Sequence, residues 1–249
     1  MKVYTLRTRF KAGIISEFTI PSRPGNRVII LCSGMPSYPS AKDLMFYLSS
    51  LGYYVFLPRY RGSWESEGKM FASSPHLDVI KVIDGLSTGF FDLWSGKKFR
   101  IVSPKVFLIG SSFGGAAVIL ASLDKRVKKA VALSPVIDWR KEGEEEPLEF
   151  LAKFTAQAFG QGYRIDRRGW DKIKSGKFFN PIQVVSRIDG KKIKIIQARD
   201  DKVVPFLPAQ QFARLSGCDL LLRRQGGHLG LSSIKKKRLL EEILRFISV

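Results

Sequence analysis

The stretch Lys105-Val-Phe-Leu-Ile-Gly110-Ser-Ser-Phe-Gly114-Gly-Ala-Ala-Val-Ile-Leu-Ala121 decides the fold. It opens with an apolar run of strand type and closes with a run of small and aliphatic residues of helix type. Between them stands Gly110-Ser-Ser-Phe-Gly114. Strand, sharp turn and helix with a serine at the apex is the layout of a nucleophile elbow. The frame G-x-S-x-G selects Ser112 rather than Ser111. An apex serine is held away from its own strand and helix, so its hydroxyl can meet both a base and a substrate carbonyl. The glycines answer a steric need, because a strained turn leaves no space for Cβ atoms where strand and helix nearly touch. Turns rich in Gly and Ser are common, and it is the context on both sides that makes this one catalytic in type.

Outward from this point the chain alternates strands and helices. Residues 2–8 and 14–20 read as a hairpin turning near Lys11-Ala-Gly13. Arg27–Ser33 is a continuous apolar run, as buried parallel strands are. A helix over 40–50, a strand over 53–57 and a helix over 76–86 precede the elbow. A strand over 129–133 follows it. Residues 135–190 break the rhythm with an acidic cluster (Glu142, Glu144, Glu145, Glu146, Glu149) and an aromatic-rich helical piece carrying Phe150, Phe154 and Phe159. The alternation then resumes: strand 193–197, helix 206–215, strand 220–223, helix 234–248. This order predicts an α/β fold of one domain over residues 1–249. A mostly parallel eight-stranded sheet carries helices on both faces, with a small helical cap inserted at about 135–190.

Composition narrows the function classes. The 249 residues are 45% hydrophobic, enough for a large core. Two cysteines, Cys32 and Cys218, make neither a disulfide framework nor a metal site and fit a reducing compartment. The N-terminus lacks the apolar stretch of a signal peptide, and no run approaches a membrane span, so a soluble, cytoplasmic protein without membrane contact is expected. The net charge of +20 is spread along the chain, densest at Lys235–Arg238, without interleaved aromatics. That pattern favours a solvated surface over a nucleic-acid partner. Only two asparagines, Asn26 and Asn180, among many Lys, Arg and Glu hint at a thermophilic source.

A serine hydroxyl needs a base, and the base needs an orienting carboxylate. The two histidines are His76 and His228. His228 lies in Gly226-Gly-His-Leu-Gly230, just past a strand end, where sites form in open α/β sheets. His76 opens a helix, which suits a structural role. The loop Ala198-Arg-Asp-Asp-Lys-Val-Val-Pro205 also follows a strand and offers Asp200 and Asp201. Two histidines and two scattered cysteines give no metal-ligand spacing, so neither metal nor cofactor is expected.

Together these pieces resemble the α/β-hydrolase superfamily, in particular its branch of serine peptidases and esterases with prolyl oligopeptidase-type and dienelactone hydrolase-like members. Ser33-Gly34-Met35-Pro36 stands where that family carries a His-Gly loop, and Tyr60–Gly68 is similar to its Y-R-G-x-G-x-S-x-G loop. Asn180-Pro-Ile precedes the acid-loop strand. Asp201-Lys-Val-Val-Pro205 matches D-x-V-V-P, and Gly227-His228 matches the histidine loop. The chain departs from the pattern at Ser33 for His, Arg59 for Asp and Trp64 for Gly.

The resemblance implies an α/β-hydrolase fold and a triad of Ser112, Asp201 and His228, with Asp201 preferred over Asp200. It also implies an oxyanion hole from the backbone N–H groups of Met35 and Phe113. The implied activity is a serine hydrolase that opens a carboxylic ester through an acyl-enzyme; the aromatic cap, with Met35, Tyr38 and Trp64 at the rim, adds the expectation of a small apolar acyl group of short to medium length. Tyr38, Trp64 and Phe154 are the candidate pocket residues. A serine peptidase or aminoacyl amidase is the alternative enzyme, with a short peptide in place of a small-molecule ester. A non-catalytic relative that binds an anionic partner is the alternative from another class. A homo-oligomer is compatible with all three.

Overall fold

A computed structural model describes residues 4–248 of the chain. β1 (Leu6–Phe10) and β2 (Ile14–Thr19) form the opening hairpin; residues 2 and 3 of the expected first strand lie outside the described residues. β3 (Arg27–Cys32), α1 (Lys42–Ser50), β4 (Tyr54–Pro58) and α2 (His76–Thr88) follow. A small hairpin, β5 (Phe90–Phe91) with β6 (Lys98–Phe99), precedes β7 (Lys105–Ser111), α3 (Phe113–Ala121) and β8 (Val127–Leu133). The remaining elements are α4 (Leu148–Phe159), α5 (Arg167–Lys174), β9 (Ile193–Ala198), α6 (Phe206–Ser216), β10 (Asp219–Arg223) and α7 (Lys237–Ser248).

The main sheet has eight strands in the order β1-β2-β4-β3-β7-β8-β9-β10. β2 runs antiparallel to its neighbours β1 and β4, and from β4 to β10 every pairing is parallel. Past their first residues the central strands β3 and β7 run through continuous apolar stretches, Val28–Cys32 and Val106–Ile109, because both faces are covered. Val28, Ile30, Cys32, Val106 and Leu108 join the core beneath α2, α3 and α6. Ile29, Leu31, Phe107 and Ile109 join the opposite core, closed by α1 and α7. α3 is buried at all nine positions, which is why its sequence shows no amphipathic stripe. α7 does show one, burying Leu239, Leu240, Ile243 and Ile247. Each such side chain stabilises the fold by about 1.5–3 kcal/mol.

Several element boundaries shift by one to three residues from the sequence expectation, as at β8, which begins at Val127 rather than 129, and one hairpin is added. The last helix starts at Lys237, not 234, because Lys236 is extended (φ −68°, ψ 117°) after a 3-10 turn at Leu231–Lys235. The β5–β6 hairpin gave no alternating pattern, being two residues on each side. It is held by aromatic packing of Phe90 and Phe99 against Phe18. Between β8 and β9 the chain runs through α4, α5 and 3-10 turns at Gly160–Gly162, Pro181–Arg187 and Gly190–Lys192. Among the described residues, no helix is long and apolar enough to cross a membrane.

Close packing at the elbow explains its glycines. A Cβ on Gly110 would stand 2.2 Å from the Gly114 carbonyl oxygen, and a Cβ on Gly114 would stand 2.1 Å from the Cys32 carbonyl oxygen. Both obstacles are backbone atoms, which cannot swing aside. Gly114→Ala is therefore expected to destabilise the protein by at least about 2 kcal/mol. A lowered urea midpoint at unchanged slope would show it.

Candidate active site

Ser112 sits between β7 and α3 with φ 54° and ψ −120°, a conformation that L-residues avoid. Surrounding bonds over-determine it. The Ser112 N–H donates to the Leu133 carbonyl at 2.8 Å, and the Ser112 carbonyl accepts from Gly115, Ala116 and Val136. The turn is thus fastened to the end of β8, and the strain is held by structure on both sides. The Ser112 hydroxyl makes no hydrogen bond among the described residues and lines a cavity.

The acid and base loops meet at the same edge of the sheet. His228 Nδ1 lies 3.0 Å and 3.2 Å from the two Asp201 carboxylate oxygens. An ionised carboxylate only accepts, so the proton of that bond sits on Nδ1, and in the neutral ring Nε2 is the acceptor. Asp201 Oδ1 also accepts the N–H groups of Val203 and Val204, and Oδ2 accepts Gln197 Nε2 at 3.1 Å. Burial alone would raise the Asp201 carboxyl. The His228 hydrogen bond and charge, the Val204 N–H and the Ser134 hydroxyl outweigh it and hold the group below the ordinary carboxylate range.

Asp200 performs a different task from its neighbour. Its carboxylate accepts the N–H groups of Gly227 at 2.9 Å and Gly226 at 3.2 Å, clamping the turn that carries His228. Both glycines have positive φ, 57° and 156°. Beyond the imidazole, the Leu229 N–H donates to Ser134 Oγ at 2.9 Å. Ser134 directly follows Leu133, the residue that anchors Ser112, so the end of β8 ties the base loop to the elbow. Asp200→Ala is expected to lower kcat/KM about tenfold through loosening of this turn, with Asp200→Asn intermediate because its one amide oxygen keeps the Gly227 N–H while its NH₂ opposes the Gly226 N–H. Steady-state kinetics of the two variants would measure it.

The loop after β3 faces Ser112 closely: a Cβ on Gly34 would stand 3.3 Å from Ser112 Cβ. The Met35 and Phe113 backbone N–H groups have no protein acceptor among the described residues. Two aromatic residues brace this loop from behind. Ser37 O accepts Trp64 Nε1 at 3.1 Å and the Tyr163 hydroxyl at 3.0 Å, and the Ser37 N–H lies 2.9 Å from the same hydroxyl. Ser33 O accepts the Tyr60 hydroxyl. Arg59 is buried and satisfied by Glu17, Glu65 and the Leu57 carbonyl. The departures at Arg59 and Trp64 are thus taken up by side-chain hydrogen bonds.

The cavity at Ser112 has a volume of about 40 Å³, with Met35, Phe113, Trp139, Leu148, Leu151 and Val204 among its walls. Lys141, Glu142 and Glu146 stand at the same opening. Asn180 supports the wall: its Oδ1 accepts the Trp139 N–H, and its Nδ2 donates to Asp138 and the Gly176 carbonyl. The expected pocket residues Tyr38, Trp64 and Phe154 do not line the cavity. Trp64 is turned into the loop brace. Tyr38 is 69% exposed and packs on Trp64 and Phe159. Phe154 is 40% exposed on the outer side of α4 and stacks on Phe150. The α4 residues that turn inward are Leu148, Leu151 and Thr155. Spacing of three and four, not aromatic character, marks that wall in the sequence.

Other reactive side chains are disposed elsewhere. His76 hydrogen-bonds Ser74 at the start of α2, and burial pushes it down to about 4. Burial pushes the Cys32 thiol up to about 12, which keeps it protonated and unreactive.

Comparison with known proteins agrees with the fold. The model of the alpha/beta hydrolase family matches residues 29–233, and the chain belongs to this family. No curated protein matches the sequence. The chain is similar to a Pyrococcus furiosus esterase, with a TM-score of 0.71 over 99% of this chain and 91% of that one at 18% identity. It is also similar to a Pyrococcus horikoshii acylaminoacyl peptidase, with a TM-score of 0.64 over 98% of this chain and 42% of that one at 15% identity. A Porphyromonas gingivalis dipeptidyl peptidase 4 gives a TM-score of 0.66 over 98% of this chain and 35% of that one at 16% identity. At these identities the likeness is one of fold.

Proposed function

We propose that the protein is a serine hydrolase that cleaves carboxylic esters of short, apolar acyl groups. The observation that carries this reading is the Asp201–His228 hydrogen bond, fastened through Ser134 to the elbow of Ser112. His228 Nε2 takes the Ser112 proton as Oγ attacks the acyl carbonyl; such contacts tighten when substrate binds. The Met35 and Phe113 N–H groups, unengaged by protein acceptors among the described residues, bind the developing oxyanion. The start of α3 adds a favourable dipole there. His228 returns its proton to the leaving alkoxide, and the acyl group stays on Ser112. Water, deprotonated by His228, then releases the acid and regenerates the hydroxyl.

Met35, Phe113, Leu148 and Leu151 line the cavity at Ser112 and support an apolar acyl group, and its narrow volume of about 40 Å³ supports a short one. On p-nitrophenyl esters, kcat/KM is expected to peak between acetate and butyrate and to fall by octanoate. Leu151→Ala, which shortens the wall, is expected to favour the longer chains by roughly tenfold. A chain-length series on both proteins tests this, and a maximum at long or charged acyl groups in the wild type would contradict it. Ester and peptide p-nitroanilide panels run side by side separate the esterase from the peptidase. The esterase reading requires the ester rates to dominate.

A further inference from the structure

We propose that the end of the parallel sheet opposite Ser112 carries a binding site for closely spaced phosphates. Arg27 is the first residue of β3, Lys105 the first of β7, and Lys128 and Lys129 lie at the start of β8. All four line one open cavity of about 590 Å³. The strand register gathers them. Arg27 is the partner of Lys105 across β3 and β7. Val106 pairs with Val127 but Phe107 pairs with Lys129, so Lys128 is the extra residue of a bulge. In a regular strand, successive lysines would point to opposite faces; a bulge re-aims one of them. Here it brings both to the same cavity.

Like charges on neighbouring strands repel, so the arrangement does not stabilise the fold by itself. No carboxylate side chain lines the cavity, and none of the four cations has an ion-pair partner among the described residues. Acids at this end are already engaged. Asp219 and Glu242 hold Lys194, and Asp84 and Asp124 hold Arg126. Two of the cations are fixed in place. Arg27 lies over the Tyr53 ring at 4.0 Å. Lys129 lies over the Phe246 ring at 4.7 Å and donates to the Lys191 carbonyl. The adjoining rings of Tyr53 and Phe107 are buried, and the ring of Phe246 is covered by Lys129 and Lys194, so no free face is left on which a base can stack. Recognition therefore falls on phosphate charge, as in a polyphosphate chain or a run of phosphodiester backbone. The sequence showed only dispersed basic residues; the topology brings these four together.

Isothermal titration calorimetry at low salt tests the site with two probes, inorganic tripolyphosphate and an oligothymidylate of about 12 nucleotides. Tripolyphosphate is expected to bind at a single saturable site. Lys105→Gln/Lys128→Gln, at exposed positions, is expected to weaken it at least about tenfold, and Arg27→Gln/Lys129→Gln by a similar factor. Lys235→Gln/Lys237→Gln, in the basic run that leads into α7, is expected to leave it unchanged. Should Arg27→Gln unfold the protein, the exposed pair alone decides. If the oligonucleotide loses affinity in the same variants, the source is nucleic-acid backbone; if only tripolyphosphate responds, it is a free polyphosphate. Absence of saturable binding to wild type would overturn the proposal, as would equal weakening by the Lys235/Lys237 variant. Ester hydrolysis plays no part in this readout, so the site stands or falls separately from the proposed function.

Discussion

Ser112→Ala is expected to lower kcat on a p-nitrophenyl ester by about 10⁴- to 10⁶-fold, leaving only what backbone donors and binding contribute. The residue takes a strained φ of 54° that bonds to Leu133, Gly115, Ala116 and Val136 hold, and those bonds use backbone atoms. Removing the hydroxyl keeps them all. Loss of activity in a protein that unfolds like wild type would therefore report chemistry. Ser111 is the natural control: it ends β7, is buried, and does not line the Ser112 cavity. Ser111→Ala should retain activity within roughly a few-fold.

Asp201→Asn is expected to cost about 10³- to 10⁴-fold in kcat with little change in fold. An amide keeps an oxygen for the Val203 and Val204 N–H groups. It loses the charge that stabilises the imidazolium, and its NH₂ opposes the Nδ1 proton, which favours the wrong tautomer of His228. Stability should respond in a defined pH range. A carboxyl whose folded pKa is depressed stabilises the fold above its unfolded value, about 3.9, and that contribution fades as pH falls through the lower folded value. Acid unfolding of the Asn variant should lack this component, whereas at pH 7 its loss shows as a lowered melting temperature.

Much of this was legible in the chain itself. The elbow could be read because its steric needs are local: Gly110 and Gly114 meet backbone within five residues of each other or on the adjacent strand. Strands β3 and β7 could be read because double-sided burial leaves continuous apolar runs. Less was legible where a residue's role depends on a partner far along the chain. Trp64 looks like a pocket wall beside its loop, yet its indole reaches Ser37 and its backbone N–H reaches Gly162. Phe154 looks like a pocket aromatic, yet the helical phase of α4 sends Leu151 inward and Phe154 out. Asp200 and Asp201 are chemically alike, and their separate tasks appear only once the His228 turn is placed against them. The basic cavity depends on a one-residue bulge at Lys128, which no periodicity announces.

In the proposed mechanism Ser112, activated by His228, is the nucleophile. Intact-mass spectrometry after exposure to a fluorophosphonate probe tests it most directly. One adduct is expected on wild type and on Ser111→Ala, mapped to the peptide containing Ser112, and none on Ser112→Ala or His228→Ala. Persistent labelling of folded Ser112→Ala, or an adduct mapped to another residue in wild type, would contradict it.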